Sequence, residues 1–78
     1  QEKSGPDVFI IALGEKAMEE GYLWMSDLNF AGIKSDMDFS GRSLKSLMKR
    51  ADKLNAGHVL IAGDREIKEN ALIFRDMN

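Results

Sequence analysis

Two stretches of this chain, DVFIIAL at residues 7–13 and HVLIAG at 58–63, are apolar without polar alternation, and the sequence between them changes period twice. Runs of that kind suit strands covered on both faces, which calls for a sheet with helices packed above and below it. Behind the first run, from Glu15, the apolar or small positions Ala17, Gly21, Trp24, Leu28 and Ala31 recur at three- and four-residue steps. They define one stripe of a helix ending at Gly32. IKSDMDF, residues 33–39, alternates strictly, with Ile33, Ser35, Met37 and Phe39 set against Lys34, Asp36 and Asp38. That alternation predicts a strand with one wet face at a sheet edge. A second helix is expected within FSGRSLKSLMKRADKLNAG, residues 39–57; DREIKEN then reads as a polar turn and ALIFRDM as a fourth strand.

The resulting β-α-β-α-β order predicts a parallel sheet with helical crossovers. Right-handed crossovers, an alternating strand at the edge and the first strand inside favour the order 2-1-3 with the helices on opposite faces. The fourth strand follows too short a connection for a parallel crossover and is expected antiparallel beside the third. The fold class is thus α/β, a three-layer α/β/α arrangement with a mixed sheet of order 2-1-3-4. Leu72, Ile73 and Phe74 are consecutive apolar residues in what would be the outermost strand. An edge of that kind invites pairing, so a further strand and helix are expected to follow in a longer parent protein.

Composition narrows the class of function. A 78-residue chain is one domain with a small core. It has no cysteine, which excludes a disulfide framework and thiolate metal ligands and agrees with a cytoplasmic protein. No apolar run approaches the roughly 20 residues of a membrane span, and no signal-peptide pattern is present. A net charge of -2 conceals an asymmetry. Residues 7–30 carry Asp7, Glu15, Glu19, Glu20 and Asp27 against Lys16, whereas residues 34–53 carry Lys34, Arg42, Lys45, Lys49, Arg50 and Lys53 against Asp36, Asp38 and Asp52. A polyanionic partner for one surface and an ordinary solvated helix face both produce such counts.

On a helical wheel Leu44, Leu47, Met48, Ala51 and Leu54 fall on one side of the second helix, and Lys45, Lys49 and Lys53 form a row on the other, with Arg42 just before it. The loop Ser40-Gly41-Arg42 opens this helix, so its N–H groups and the positive end of the helix dipole add to the attraction for phosphate. Ligands of open α/β sheets bind at the carboxyl ends of the strands, where Leu13-Gly14-Glu15, Ser40-Gly41-Arg42 and Gly63-Asp64-Arg65-Glu66 are expected to meet. That rim is the candidate site.

Taken together, DVFIIALGEKA, GIKSDMDFSGRSLKSLMKRADKLNAGHVLIAGDREI and ALIFRDM resemble the C-terminal anticodon-binding domain of bacterial-type histidyl-tRNA synthetases, within the family shared with the glycyl, threonyl and prolyl enzymes. The resemblance runs from Asp7 to Met77, with residues 1–6 left as a linker and 7–78 as the domain. It implies a five-stranded mixed sheet with three helices, of which the last strand and helix are missing here. It implies transfer RNA, read at the anticodon loop, as the partner, together with the catalytic domain of a homodimeric, ATP- and Mg-dependent ligase; the domain itself holds no cofactor, metal or catalytic residue. In the related synthetases a glutamate after the third strand and an arginine in the fourth contact anticodon bases, and the matching positions are Glu66 and Arg75. Arg42, Lys45, Lys49, Arg50 and Lys53 would then hold the RNA backbone without reading it.

Other readings of the same residues remain open. Glu66 suits a turn cap, Arg75 an ion pair on the sheet, and the lysine row a solvated face. His58 has no second His or Cys at ligand spacing and reads as structural. Trp24, Met25 and Met48 sit at core spacing, whereas Tyr22, Leu23 and Phe30 lie off the main stripe, at a sheet margin or against another domain. The run Gly14 to Gly21 is not a dinucleotide fingerprint. A phosphoacceptor receiver domain would need clustered acids after the first strand, and that strand ends Leu13-Gly14. The rival with more support is a regulatory or interaction module of a synthetase paralogue that no longer reads RNA.

Overall fold

The computed structural model describes residues 5–68 and 73–77. Its central strand is β1 (Val8–Leu13), followed by α1 (Glu15–Phe30), β2 (Ser35–Met37), α2 (Leu44–Lys53), β3 (His58–Gly63), α3 (Asp64–Lys68) and β4 (Ile73–Asp76). The sheet order is β2-β1-β3-β4. β2 and β3 run parallel to β1, with Ile10 level with Met37 on one side and Leu60 on the other, and β4 runs antiparallel to β3, with Ile73 opposite Ile61. This is the expected mixed sheet.

The pleat of β1 divides the core. Phe9 and Ile11 join Val59 and Ile61 in packing against Leu47 and Ala51 of α2, while Val8, Ile10 and Ala12 join Met37 in packing against Ala17 of α1. The two long helices therefore cover opposite faces, as right-handed crossovers require. Phe9, Ile10, Ile11, Leu47 and Val59 are almost completely buried. Each such side chain contributes roughly 1.5–3 kcal/mol by leaving water. Trp24, Met25 and Met48, partly buried, border these clusters as core-spaced residues should. At Gly21 α1 comes so close to the sheet that an added Cβ would lie 3.1 Å from the Met37 side chain and 3.3 Å from that of Ile10.

Helix ends explain most departures from the expected boundaries. α1 stops at Phe30 because Gly32, at φ 89°, donates its N–H to the Asn29 carbonyl at 3.1 Å while Ile33 donates to Leu28 at 2.9 Å. This is a Schellman cap, and the glycine lies just beyond the helix rather than in its stripe. Ala31, expected on the buried stripe, is exposed. α2 ends the same way, with Asn55 at φ 59° donating to Asp52 and Ala56 donating to Ala51, each at 3.1 Å.

The expected strand 33–39 contracts to three residues. At its start Ile33 is drawn into the cap of α1, and at its end the Asp38 carboxylate accepts the Ser40 N–H at 2.7 Å and turns the chain away. Ile33 and Phe39, expected to face the core, are exposed. Ser35, the buried polar residue of β2, donates its hydroxyl to the Met25 carbonyl and the Asn29 side chain, both at 3.1 Å, which ties the strand to the last turns of α1. DREIKEN is not simply a turn, since its first five residues form α3, packed on α1 and β3. Of the linker expected over 1–6, Pro6 is buried and its carbonyl accepts the Gly57 N–H at 3.1 Å.

Candidate nucleic-acid interface

The cationic face begins with how α2 is held. Ser43 caps its N-terminus, the hydroxyl oxygen accepting the Ser46 N–H at 3.3 Å. Leu47 and Ala51 are buried, and Met48 and Leu54 partly so, which fixes the roll of the helix. Leu44, expected in the same apolar cluster, is instead 40% exposed. With the apolar seam inward, Lys45, Lys49 and Lys53 are turned to solvent. A shallow groove runs along this face, lined by Arg42, Ser46, Lys49, Arg50, Asp52 and Lys53.

Arg50 is the exception among these cations. Its Nε lies 3.2 Å from the Asp38 carboxylate, whose side chain is only 8% exposed. Hydrogen bonds from the Ser40 side chain and backbone, aided by the positive charges of Arg50 and Arg42, hold the Asp38 carboxyl below its ordinary value. Burial acts in the opposite sense but is outweighed. The result is a clamp that fixes the loop leading into α2 and draws on the charge of Arg50. Arg42, Lys45, Lys49 and Lys53 form no salt bridge among the described residues.

At the carboxyl ends of the strands the first and third loops are joined through Asp64. α1 has no side-chain cap of its own, and its N-cap position is Gly14, at φ 121°. Asp64, at the start of α3, reaches across and accepts the Ala17 N–H at 2.8 Å. A carboxylate at this position satisfies an unpaired helix donor and complements the positive end of the dipole. The chain thus fills its own anion slot at α1. At α2 the expected attraction for phosphate is also reduced, because the Ser40 and Ser46 N–H groups are taken by Asp38 and Ser43. Sequence reasoning placed Asp64 in the rim and Asp38 on the wet face of a strand but missed the bonds they make, for which the one signal was an acid directly after a strand. Between the first and second loops lies a shallow pocket that reaches from Leu13 to Arg42.

The two residues expected to read bases are not gathered at one end. Arg75 lies opposite Val59 on β4, four residues back from Gly63, or about 13 Å along the strand. Pairing with Val59 sets it on the α2 side of the sheet, and it is exposed. The backbone of Glu66 belongs to α3, beyond the carboxyl end of β3, and its side chain lies outside the described residues. His58 stacks on Phe74, with ring centroids 5.0 Å apart and planes 14° from parallel, and its Nε2 is 4.0 Å from the Asp76 carboxylate. Tyr22, off the main stripe, meets Phe39 with centroids 6.3 Å apart. Among the described residues no group of acids and His could hold a metal ion, and no helix is long and apolar enough to cross a membrane.

Comparison with known proteins agrees with this architecture. The family profile described as "Anticodon binding domain" matches residues 7–78. The histidine–tRNA ligase of Desulforapulum autotrophicum is 60% identical over 73 residues, covering 94% of this chain and 17% of the ligase. That of Geobacter sulfurreducens is 44% identical over 73 residues, covering 94% and 18%. This chain therefore spans about a sixth of the length of these relatives. The crystal structure of apo S. aureus histidyl-tRNA synthetase superposes with a TM-score of 0.90 at 32% identity, over 97% of this chain and 22% of that one. The RNA binding domain of threonyl-tRNA synthetase from Cryptosporidium parvum superposes with a TM-score of 0.84 at 16% identity, over 94% of this chain and 18% of that one, which is a likeness of fold. The chain belongs to the anticodon-binding domain family, and these curated relatives within it are histidine–tRNA ligases.

Proposed function

We propose that this domain recognises the anticodon loop of histidine transfer RNA on behalf of a histidine–tRNA ligase. The observation that carries the reading is the solvent-facing groove on α2, with Arg42, Lys49 and Lys53 along it, in a chain whose total charge is negative. A row of cations on a rigid helix suits a polyanion that must be held in register. Lys45 extends the row, and Arg50 contributes what charge its pairing with Asp38 leaves. These residues contact the RNA backbone, while Glu66 and Arg75 read base edges: a carboxylate accepts the N1 and N2 protons of guanine, and a guanidinium offers paired donors to its O6 and N7. Single-stranded loops are where RNA displays such edges.

Aminoacylation, with ATP and Mg, belongs to the catalytic domain of the parent, a cytoplasmic homodimer in this reading. The domain supplies specificity for the transfer RNA and no chemistry of its own. The test uses the intact ligase and two stem-loops, one with the histidine anticodon and one with that anticodon scrambled. Lys49→Ala is expected to weaken both to the same extent, whereas Glu66→Gln or Arg75→Ala weakens the cognate loop selectively, by about tenfold or more. Equal binding of the two loops by the unaltered ligase would overturn the reading and favour the paralogue module.

A further inference from the structure

α3 does not set its own direction. It has five residues, fewer than two turns, and it starts at Asp64 with no connecting residue after Gly63, the last of β3. A helix of that length is far below the roughly 12–15 residues at which isolated helices become marginally stable. Its placement therefore comes from outside, from packing on α1 and β3 and from the Asp64 carboxylate. That carboxylate accepts the Ala17 N–H at 2.8 Å. Ala17 is completely buried in the cluster with Val8, Ile10, Ala12 and Met37, so the anchor point is rigid. Gly14 makes room for the bond, since the space its side chain would take is filled by the Asp64 carboxylate.

Glu66 follows Asp64 by two residues, a rise of about 3 Å and a turn of about 200° along α3. Position 66 is thus carried on the side of α3 away from the anchor, beyond the carboxyl end of β3. A hydrogen bond to a base edge depends on direction as well as distance, and it weakens steeply once its angle falls below about 120°. If α3 swung about Gly63, the backbone of Glu66 would move with it. The cations of α2 would not, because Leu47 and Ala51 hold that helix on the opposite face of the sheet from α1. Asp64 therefore bears on the reading of RNA and not on the holding of its backbone.

Building on the reading that Glu66 contacts an anticodon base, we propose that Asp64 is a positioning residue for specificity. By capping α1 it locks α3 in the orientation from which Glu66 meets its base, and it makes no contact with RNA itself. The cap of one helix and the selectivity of another are coupled through a single side chain.

The experiment measures the ratio of the affinities of the intact ligase for the cognate and the scrambled anticodon stem-loop. Partial unfolding would lower both affinities by the same factor and leave that ratio unchanged. Asp64→Ala is expected to lower the ratio by about fivefold or more, toward that of Glu66→Gln. Asp64→Asn, which keeps an oxygen acceptor at the same reach, is expected to retain most of it. In the Glu66→Gln background Asp64→Ala should change the ratio by less than about twofold, because no reader is left to position. A ratio that Asp64→Ala leaves unchanged while Glu66→Gln lowers it, or that Asp64→Ala lowers by the same factor in both backgrounds, would overturn the positioning role and leave the proposed function standing. If Glu66→Gln alone left the ratio unchanged, the assignment of Glu66 as a base reader would fall, and the role of Asp64 with it.

Discussion

At the residue scale, Gly14 and Asp64 show how a local requirement is met from a distance. Gly14 sits at φ 121°, where a side chain is strained, and a Cβ there would fall 2.5 Å from the Asp64 carboxylate. Gly14→Ala is therefore expected to destabilise the domain by about 1–3 kcal/mol, and Asp64→Ala by about 0.5–2 kcal/mol through loss of the α1 cap, both measured by denaturant unfolding. Because the two residues share one contact, the double variant should cost less than the sum of the single ones. Asp38 makes a pH-dependent contribution. Its carboxyl is depressed in the fold, so the stabilisation is complete above the ordinary aspartate value of about 4 and is lost as pH falls through the lower folded value. Asp38→Asn should destabilise the domain at pH 7, and the gap from the unaltered protein should close in acid; a gap constant with pH would remove the charge from the account. The glycine was legible in the sequence as a break after a strand, but nothing in its neighbourhood pointed to Asp64, 47 residues beyond Ala17, as the cap of the helix that follows it.

At the scale of elements, legibility followed the strength of the periodic signal. α2 was readable because its buried and exposed residues segregate at helical spacing, and Leu47 and Ala51 face inward while Lys45, Lys49 and Lys53 face out. Leu47 is 2% exposed, so Leu47→Ala is expected to cost about 2–5 kcal/mol in thermal or chemical unfolding. An exposed lysine such as Lys49 should change stability by no more than about 0.5 kcal/mol, which separates its effect on RNA binding from any effect on folding. β2 was expected at the right edge but too long, and α3 was expected as a turn, for a common reason. Each is too short, at three and five residues, to leave a periodic trace; a side-chain bond to Asp38 turns the chain just after β2, and Asp64 at the start of α3 caps α1 rather than its own helix.

For the whole molecule, the sheet order follows from connection lengths and crossover handedness, both of which can be counted along the chain. The distribution of charge then yields a measurable slope. If Arg42, Lys45, Lys49 and Lys53 each meet a phosphate of a single-stranded loop, log K should fall against log salt with a slope of about -3, and Lys49→Ala should flatten it by a little under 1. A slope near zero would remove the phosphate contacts from the account. Apolar surface is left on two sides: Phe30 is 96% exposed at the end of α1, and Ile73 and Phe74 of β4 are more than half exposed. The sequence expectation of an exposed, apolar fourth strand is thus visible in the structure as an edge that has one neighbour, β3, among the described residues.

The class of fold, the order of the sheet, the two faces of α2 and most of the core can be read along the chain, because each is a periodic or a counted property, although Ala31, Ile33, Phe39 and Leu44, which the same periods place inside, are exposed. Only the tertiary structure decided that Asp64 fills the anion slot of α1, that Asp38 engages Arg50, that Arg75 and the backbone of Glu66 lie toward opposite ends of β3, and that a shallow pocket adjoins the cationic groove at Arg42. Those are meetings between side chains or segments far apart in sequence. Their partners become neighbours only after the helices dock on the sheet, so no local pattern can encode which pairs will form.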